Sequence, residues 1–339
     1  MATPAPCVSA ITALIFTTAS ALAQKGPIVK SEFIYDEAPF PSCHASTLVE
    51  TEPGRLLCAW FGGTDEGEKD VAIWLSEWDG AAWSAPREVA RDPKEPCWNP
   101  VLFHTRAGET LLFYKAGPSP QTWSGLMVRS ADRGVTWGAP EWLPAGILGP
   151  IKNKPIELDD GSIVCGSSVE SYGLWGCWAE ITPDAGHTWA KHGPINVPGQ
   201  LNGIIQPAML DLGEGRIRIL CRSRSMGRIV TATSADAGRT WTDAELTGLP
   251  NPNSGIDAVM LRDGRAVLVY NHTEQDRHPI NLAVSADGGA TWGTPLTLED
   301  GDLEFSYPAV IQTSDGMIHI SYTWDRVRIR HVVVDPARL

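Results

Sequence analysis

Ser130-Ala131-Asp132-Arg133-Gly134-Val135-Thr136-Trp137 recurs with the same spacing as Thr182 to Trp189, Ser234 to Trp241 and Ser285 to Trp292. A degenerate fifth copy, Ser76 to Trp83, keeps Asp79, Gly80 and the Trp. The five Trp stand 54, 52, 52 and 51 residues apart. Self-similarity at a fixed period reads as one supersecondary unit repeated along the chain. Asp and Gly build a tight turn, Asp by bonding nearby backbone and Gly by supplying positive φ. Trp then spreads a large apolar face between neighbouring sheets. The motif predicts a hairpin fastener, so its Asp residues read as structural, not catalytic.

Between the copies lie short β-type runs split by turns, such as Pro100 to His104, Thr110 to Tyr114 and Gly125 to Ser130. A unit of about 52 residues with three or four strands is one blade of a β-propeller. The residues after Ala23 hold six such units, which predicts an all-β, six-bladed β-propeller over 24–339 with no second domain. The last unit, Phe305 to Val334, has no motif copy after it. Its outer strand is expected from Glu32 to Tyr35, which would close the ring.

Composition agrees, with 14 Trp, 33 Gly and 26 Pro. The net charge of −13 argues against a nucleic-acid partner, which needs a basic face. An apolar stretch from Ile11 to Phe16, followed by Ala21-Leu22-Ala23, reads as an export leader over 1–23 cleaved near Ala23, although no Lys or Arg precedes it. A secreted or periplasmic protein is expected, with no later stretch approaching the ~18 apolar residues of a membrane span. Six cysteines remain after the leader. Export permits disulfides, none of the spacings is a CxxC pattern, and Cys58 and Cys221 read as core residues. The eight His show no zinc-ligand spacing. No cofactor and no metal site is expected, with a structural Ca²⁺ left open.

A second pattern aligns the units. His44-Ala45, Asn99-Pro100, Lys154-Pro155, Gln206-Pro207, Asp257-Ala258 and Tyr307-Pro308 each pair a polar residue with a small residue or Pro before an apolar run. In one register these six would ring the mouth of the central channel. Buried polar groups cost free energy unless paired, so the ring either satisfies itself or serves a ligand. Cations cluster nearby: Arg222, Arg224, Arg277, Arg326 and Lys152, with Asn271 and His272 after an apolar strand. Several Arg converging on one pocket suit a carboxylate, and the expected partner is an acidic oligosaccharide or glycoconjugate.

Cys43 to Leu48, Trp60 to Thr64, Gly149 to Pro155, Leu249 to Gly255 and Phe305 to Pro308, taken with the repeats, resemble the sialidase superfamily, and within it the bacterial BNR-repeat, or Asp-box, sialidase-like proteins. The resemblance covers the whole chain after the leader. It implies three Arg holding a substrate carboxylate, a Tyr nucleophile assisted by a Glu, and a separate Asp as acid/base. Tyr307 falls at the nucleophile position, Arg222 at the second Arg and Arg277 at the third. The first Arg would fall at His44 and the Glu at Gln206, two departures that put sialic acid itself in question. The acid/base region holds Asp65, Glu66, Glu68 and Asp70, of which Glu66 and Asp70 are the candidates. Asp257 or Glu170 would take the proton of Tyr307. Arg224, Arg326, Lys154, Gln206, Asn99 and Asn271 complete the expected substrate contacts.

Three functions compete. The first is a retaining exo-glycosidase releasing a terminal acidic sugar, sialic acid or a relative. The second is a uronate lyase in which His44 and Tyr307 move protons. The third is a non-catalytic carbohydrate-binding propeller.

Overall fold

A computed structural model of the chain describes residues 1–2 and 26–339. The expected leader and its cleavage point lie, but for the first two residues, outside the described residues. Six four-stranded antiparallel sheets make the fold, the six-bladed propeller expected from the repeats. Their innermost strands are Ser42–Glu52, Cys97–His104, Ile156–Glu157, Ile204–Asp211, Asp257–Met260 and Phe305–Gln312.

The ring closes as expected, but the closing strand begins four residues earlier and keeps only Glu32 and Phe33 of the expected segment. Ile28–Phe33 pairs with Arg328–Val334 as the outer strand of blade six, Glu32 standing opposite His331. Ile34 keeps a last backbone bond to that strand, its N–H donating to the Ile329 carbonyl at 3.0 Å, and Tyr35 leaves the sheet. Both are buried in the seam between blades six and one, with Ile311, Ile329 and Trp60, and the Tyr35 ring stacks on Trp60 at 5.0 Å. Burying an aromatic or Ile side chain is worth roughly 1.5–3 kcal/mol, more than an added rung at the end of an edge strand, so the apolar pair turns inward.

The repeated motif does what its chemistry implies. In blade two, the Asp132 carboxylate accepts from the Thr136 N–H at 2.8 Å, the Thr136 hydroxyl at 2.6 Å and the Ser130 hydroxyl at 2.7 Å. Ser130 Oγ in turn accepts from the Gly134 N–H at 2.7 Å. The circle repeats around Asp184, Asp236 and Asp287. These bonds, from Thr136 first, hold the Asp132 carboxyl down at about 2. Gly is needed at its place for two reasons. Gly134 has φ +90, and a Cβ there would lie 2.3 Å from Leu57 Cδ1 of the preceding blade. Each box Trp is half-buried against the seam with the preceding blade, as Trp189 on Phe113 at 6.3 Å shows. The degenerate copy is a different turn: Asp79 Oδ1 accepts only the N–H groups of Ala81 and Ala82, both at 2.9 Å.

Between blades the core is apolar. Leu57, Ala59 and Ile73 of blade one meet Leu102, Leu112 and Tyr114 of blade two, all at most 2% exposed. The six described cysteines are buried thiols. Among the described residues no helix is long and apolar enough to cross a membrane.

Candidate functional site

The mouth is built by a backbone device that recurs in four blades. The innermost strand bulges between His44 and Thr47, Trp98 and Val101, Ile205 and Ala208, and Ser306 and Ala309. One residue in each bulge takes positive φ: Ala45, Asn99, Gln206 and Tyr307. Non-glycine residues in this region cost on the order of 1–3 kcal/mol each and persist where surrounding structure imposes them. The bulge re-aims a side chain toward the axis.

This geometry corrects the expected ring by one residue in blade one. Asn99, Gln206 and Tyr307 are equivalent, but their counterpart is Ala45, and His44 matches Trp98, Ile205 and Ser306. Lys154 and Asp257 lie outside the bulge pattern, on blades whose innermost strands are short and pair without it.

His44 nonetheless reaches the centre. Its ring lies 4.1 Å from that of Tyr307, centroid to centroid. Tyr307 is 9% exposed, and its oxygen accepts hydrogen bonds from Arg222 Nη1 at 2.5 Å and from Gln206 Nε2 at 3.4 Å. Arg222 Nη1 also meets Gln206 Oε1 at 3.2 Å, and its Nε donates to Asn253 Oδ1 at 2.9 Å. Asn253 itself has φ +58, a conformation Asn tolerates better than most residues. The Arg277 guanidinium lies 5.5 Å from the Tyr307 ring and that of Arg222 5.6 Å. Gly255 makes the floor, since a Cβ there would lie 3.2 Å from the Tyr307 ring.

A carboxylate unnoticed in the sequence organises the other two Arg. Glu304 accepts from Arg277 Nη1 at 2.8 Å, from Arg326 Nε at 3.0 Å and from the Ser306 hydroxyl at 2.5 Å. Burial pushes its carboxyl up, but Arg277, Ser306 and Arg326 together outweigh it and hold the group below its ordinary value. Arg326 stands on a turn where both it and Asp325 have positive φ, and it also pairs with Glu66. Thus Arg222, Arg277 and Arg326 surround the His44–Tyr307 pair. Burial first, then Arg326, Arg277, Arg222 and Lys152, pushes the His44 imidazole well below its ordinary pKa. It is therefore neutral near pH 7, and its Nδ1 is buried without a partner among the described residues.

Other expected contacts are held by the protein itself. Lys154 donates to Asp257 Oδ2 and to the Ala258 carbonyl, both at 2.8 Å. Asp257 also accepts from the Val310 and Ala258 N–H groups at 2.8 and 2.9 Å. The pair ties blades three, five and six, so neither the expected catalytic role of Asp257 nor the substrate contact of Lys154 fits. Lys152, not Lys154, faces Tyr307. Its ammonium donates to Asn153 Oδ1 and the Ile256 carbonyl, each at 3.0 Å, and to the Pro308 carbonyl. Burial brings this amine down to about 7. Asn271, 0% exposed, donates to the Pro279 and Phe305 carbonyls, while its Oδ1 is buried without a partner among the described residues. Asp70, exposed, accepts from the Thr64 N–H and hydroxyl of its own loop, at 3.0 and 2.7 Å, and Thr64 holds its carboxyl below the ordinary value. Glu66 remains at the mouth through Arg326. Arg224 stacks over Trp175 at 4.9 Å, beside Arg222. Asn99 is buried in its bulge.

Comparison with known proteins agrees with this architecture. Residues 54–320 match the BNR repeat-like domain. The chain is 26% identical over 286 residues to a sialidase of Micromonospora viridifaciens, and 21% identical over 234 residues to a sialidase of Bacteroides fragilis, covering 75% and 61% of this chain. It spans 42% of the length of each of these relatives. The solved structure of the Hadza microbial sialidase Hz136 superposes with a TM-score of 0.76 at 18% identity, over 88% of this chain and 66% of that one. The repeats, the closed ring of six blades and these matches together place the chain in the BNR repeat-like domain family, as a sialidase-like propeller.

Proposed function

We propose that the mouth binds the carboxylate of a terminal acidic sugar and releases that sugar by a retaining, sialidase-type hydrolysis. The observation that carries this is the convergence of Arg222, Arg277 and Arg326 on the His44–Tyr307 pair. Guanidinium groups match a carboxylate's geometry and stay charged at every relevant pH. Tyr307 is the nucleophile in this reading. Two N–H groups, from Arg222 and Gln206, point at the oxygen on which charge would develop. No carboxylate is bonded to Tyr307 among the described residues; the neutral imidazole of His44 lies tilted at 48° to its ring, 4.1 Å away centroid to centroid, and in this reading it takes the Tyr307 proton. The relatives named sialidases support the chemistry, and export would bring the enzyme to extracellular glycans.

Gln206 in place of a carboxylate favours a second reading. A neutral His beside a Tyr, in a pocket that neutralises a carboxylate, is also an acid–base pair for β-elimination from a uronate. Aryl glycosides of sialic and glucuronic acids, with an acidic polysaccharide alongside, separate the two. Hydrolysis releases a saturated sugar, whereas elimination leaves an unsaturated uronate absorbing in the near ultraviolet. Binding of the free acids without any turnover would defeat both readings in favour of a lectin-like propeller.

A further inference from the structure

Glu170 ends the second strand of blade three, Ile163–Glu170, directly opposite Trp175 across the hairpin. Directly opposed residues of an antiparallel pair project from one face, so Glu170 and Trp175 share a face. Over Trp175 lie the guanidinium groups of Arg222, at 5.8 Å, and Arg224, at 4.9 Å. The far end of Arg222 is the group that donates to Tyr307. Glu170 therefore borders the same well as Tyr307, one guanidinium away.

Four other carboxylates of the mouth are engaged. Glu304 holds two Arg, Glu66 pairs with Arg326, Asp257 ties three blades and Asp70 fastens its loop. Glu170 is half-buried, and among the described residues no hydrogen bond or ion pair holds its carboxylate. Burial is the largest influence on it and pushes its carboxyl up; Arg222 opposes, Glu66 across the mouth adds, Arg224 opposes, and the balance stays above the ordinary value. A carboxyl that keeps its proton closer to neutral pH suits an acid step.

We propose that Glu170 is the acid/base of the site: it protonates the glycosidic oxygen as the leaving group departs. This rests on the hydrolytic reading above. In the first step the Tyr307 oxygen bonds the anomeric carbon, its proton goes to His44, the glycosidic C–O bond breaks, and the aglycone leaves as a neutral alcohol carrying the Glu170 proton. In the second, Glu170 takes a proton from the attacking water, the bond to Tyr307 breaks, and His44 returns the proton to the Tyr oxygen.

Glu170→Gln tests this on the full chain with two substrates, a nitrophenyl and a methyl glycoside of the same sugar acid, drawn from sialic and glucuronic acids. Nitrophenolate departs without help, whereas methanol needs a proton. General-acid catalysis is worth ~10²–10⁴-fold, so methyl glycoside cleavage should fall at least 100-fold in kcat. Formation of the glycosyl-enzyme from the nitrophenyl substrate, read as a pre-steady-state burst, should fall less than about 10-fold. Thermal protection by the free sugar acid should be unchanged, which shows the variant folded. Equal losses on both substrates, or none, would overturn the assignment. A wild-type protein inactive on both would overturn the hydrolytic reading and this step with it, an outcome visible before any substitution is made.

Discussion

The two ends of each blade solve opposite problems. At the outer hairpins the same eight-residue motif recurs with its hydrogen bonds closed within itself: Asp132, Asp184, Asp236 and Asp287 each answer their own Thr and backbone. At the mouth the innermost strands present different side chains, three blades add an Arg, and the bonds run between blades. Arg222 of blade four meets Tyr307 of blade six, and Arg277 of blade five meets Glu304 beside it. The strain is distributed likewise. Of the non-glycine residues with positive φ, Ala45, Asn99, Gln206, Asn253, Tyr307 and Arg326 stand at the mouth, Asp276 and Asp325 precede its Arg277 and Arg326 in the chain, and the motif adds Arg133, Ala185 and Ala237 at its repeated turn. Repetition secures the frame, and the frame holds a strained, varied and charged rim.

Substitutions at the two ends should therefore separate activity from stability. Tyr307→Phe should have the largest effect on turnover, lowering kcat for sugar release about 10³-fold or more with an unchanged denaturation midpoint. Loss of a merely supporting hydrogen bond would cost only several-fold. Arg222→Ala should come next. A charged hydrogen bond to a carboxylate is worth ~1.5–3 kcal/mol, so KM should rise ~10–150-fold. An unchanged KM would remove Arg222 from carboxylate binding. At the other end, Gly134→Ala should do the reverse. The Cβ meets Leu57 and the backbone stays at positive φ, so unfolding free energy by denaturant titration should drop by ~1–3 kcal/mol, with kcat per folded molecule intact. A fall in kcat would show that the two ends are coupled.

The ring closure gives the smallest and pH-dependent effect. His319 Nδ1 meets His331 Nε2 at 3.0 Å, and His331 Nδ1 meets Glu32 Oε1 at 3.1 Å, across the closing strands. Burial, then the neighbouring His331, takes His319 down to about 4; Lys30 adds slightly, while Asp315 and Glu32 pull the other way. A histidine whose pKa is lowered on folding contributes stability that is present above its unfolded value near 6.5 and lost as pH falls toward 4. Wild type should thus lose on the order of 1 kcal/mol over that window, and His319→Gln should lose less. Identical pH profiles would deny the histidine pair this role.

How much of this the sequence carried differs by end. The frame was legible because the turn chemistry of Asp, Gly and Trp is local and repeats. The mouth was legible in its charges but not in its partnerships. Arg222, Arg277 and Tyr307 could be located by spacing. His44-Ala45 matched the polar-then-small pattern one residue ahead of the true register, because Ser46 stands where the other bulges carry Pro. Lys154 and Lys152 are two residues apart, and only the fold shows that Asp257 claims the first while the second turns to the axis. Glu304 lies three residues before Tyr307, yet its bridging of two Arg from different blades is a three-dimensional fact. The outer strand was misplaced by a few residues because the burial of Ile34 and Tyr35 depends on a seam formed by the far end of the chain.

Under the proposed function this mouth is a carboxylate-recognising sugar site. A structure of the protein with an unsaturated acidic sugar, shaped like the planar oxocarbenium-like transition state, tests it most directly. The ligand should lie at the axis, its carboxylate within about 3 Å of guanidinium nitrogens of Arg222, Arg277 or Arg326, and its anomeric carbon facing the Tyr307 oxygen. A ligand seated elsewhere, such as the cleft between blades four and five lined by Arg218, Glu245 and Trp292, with the mouth empty, would contradict it.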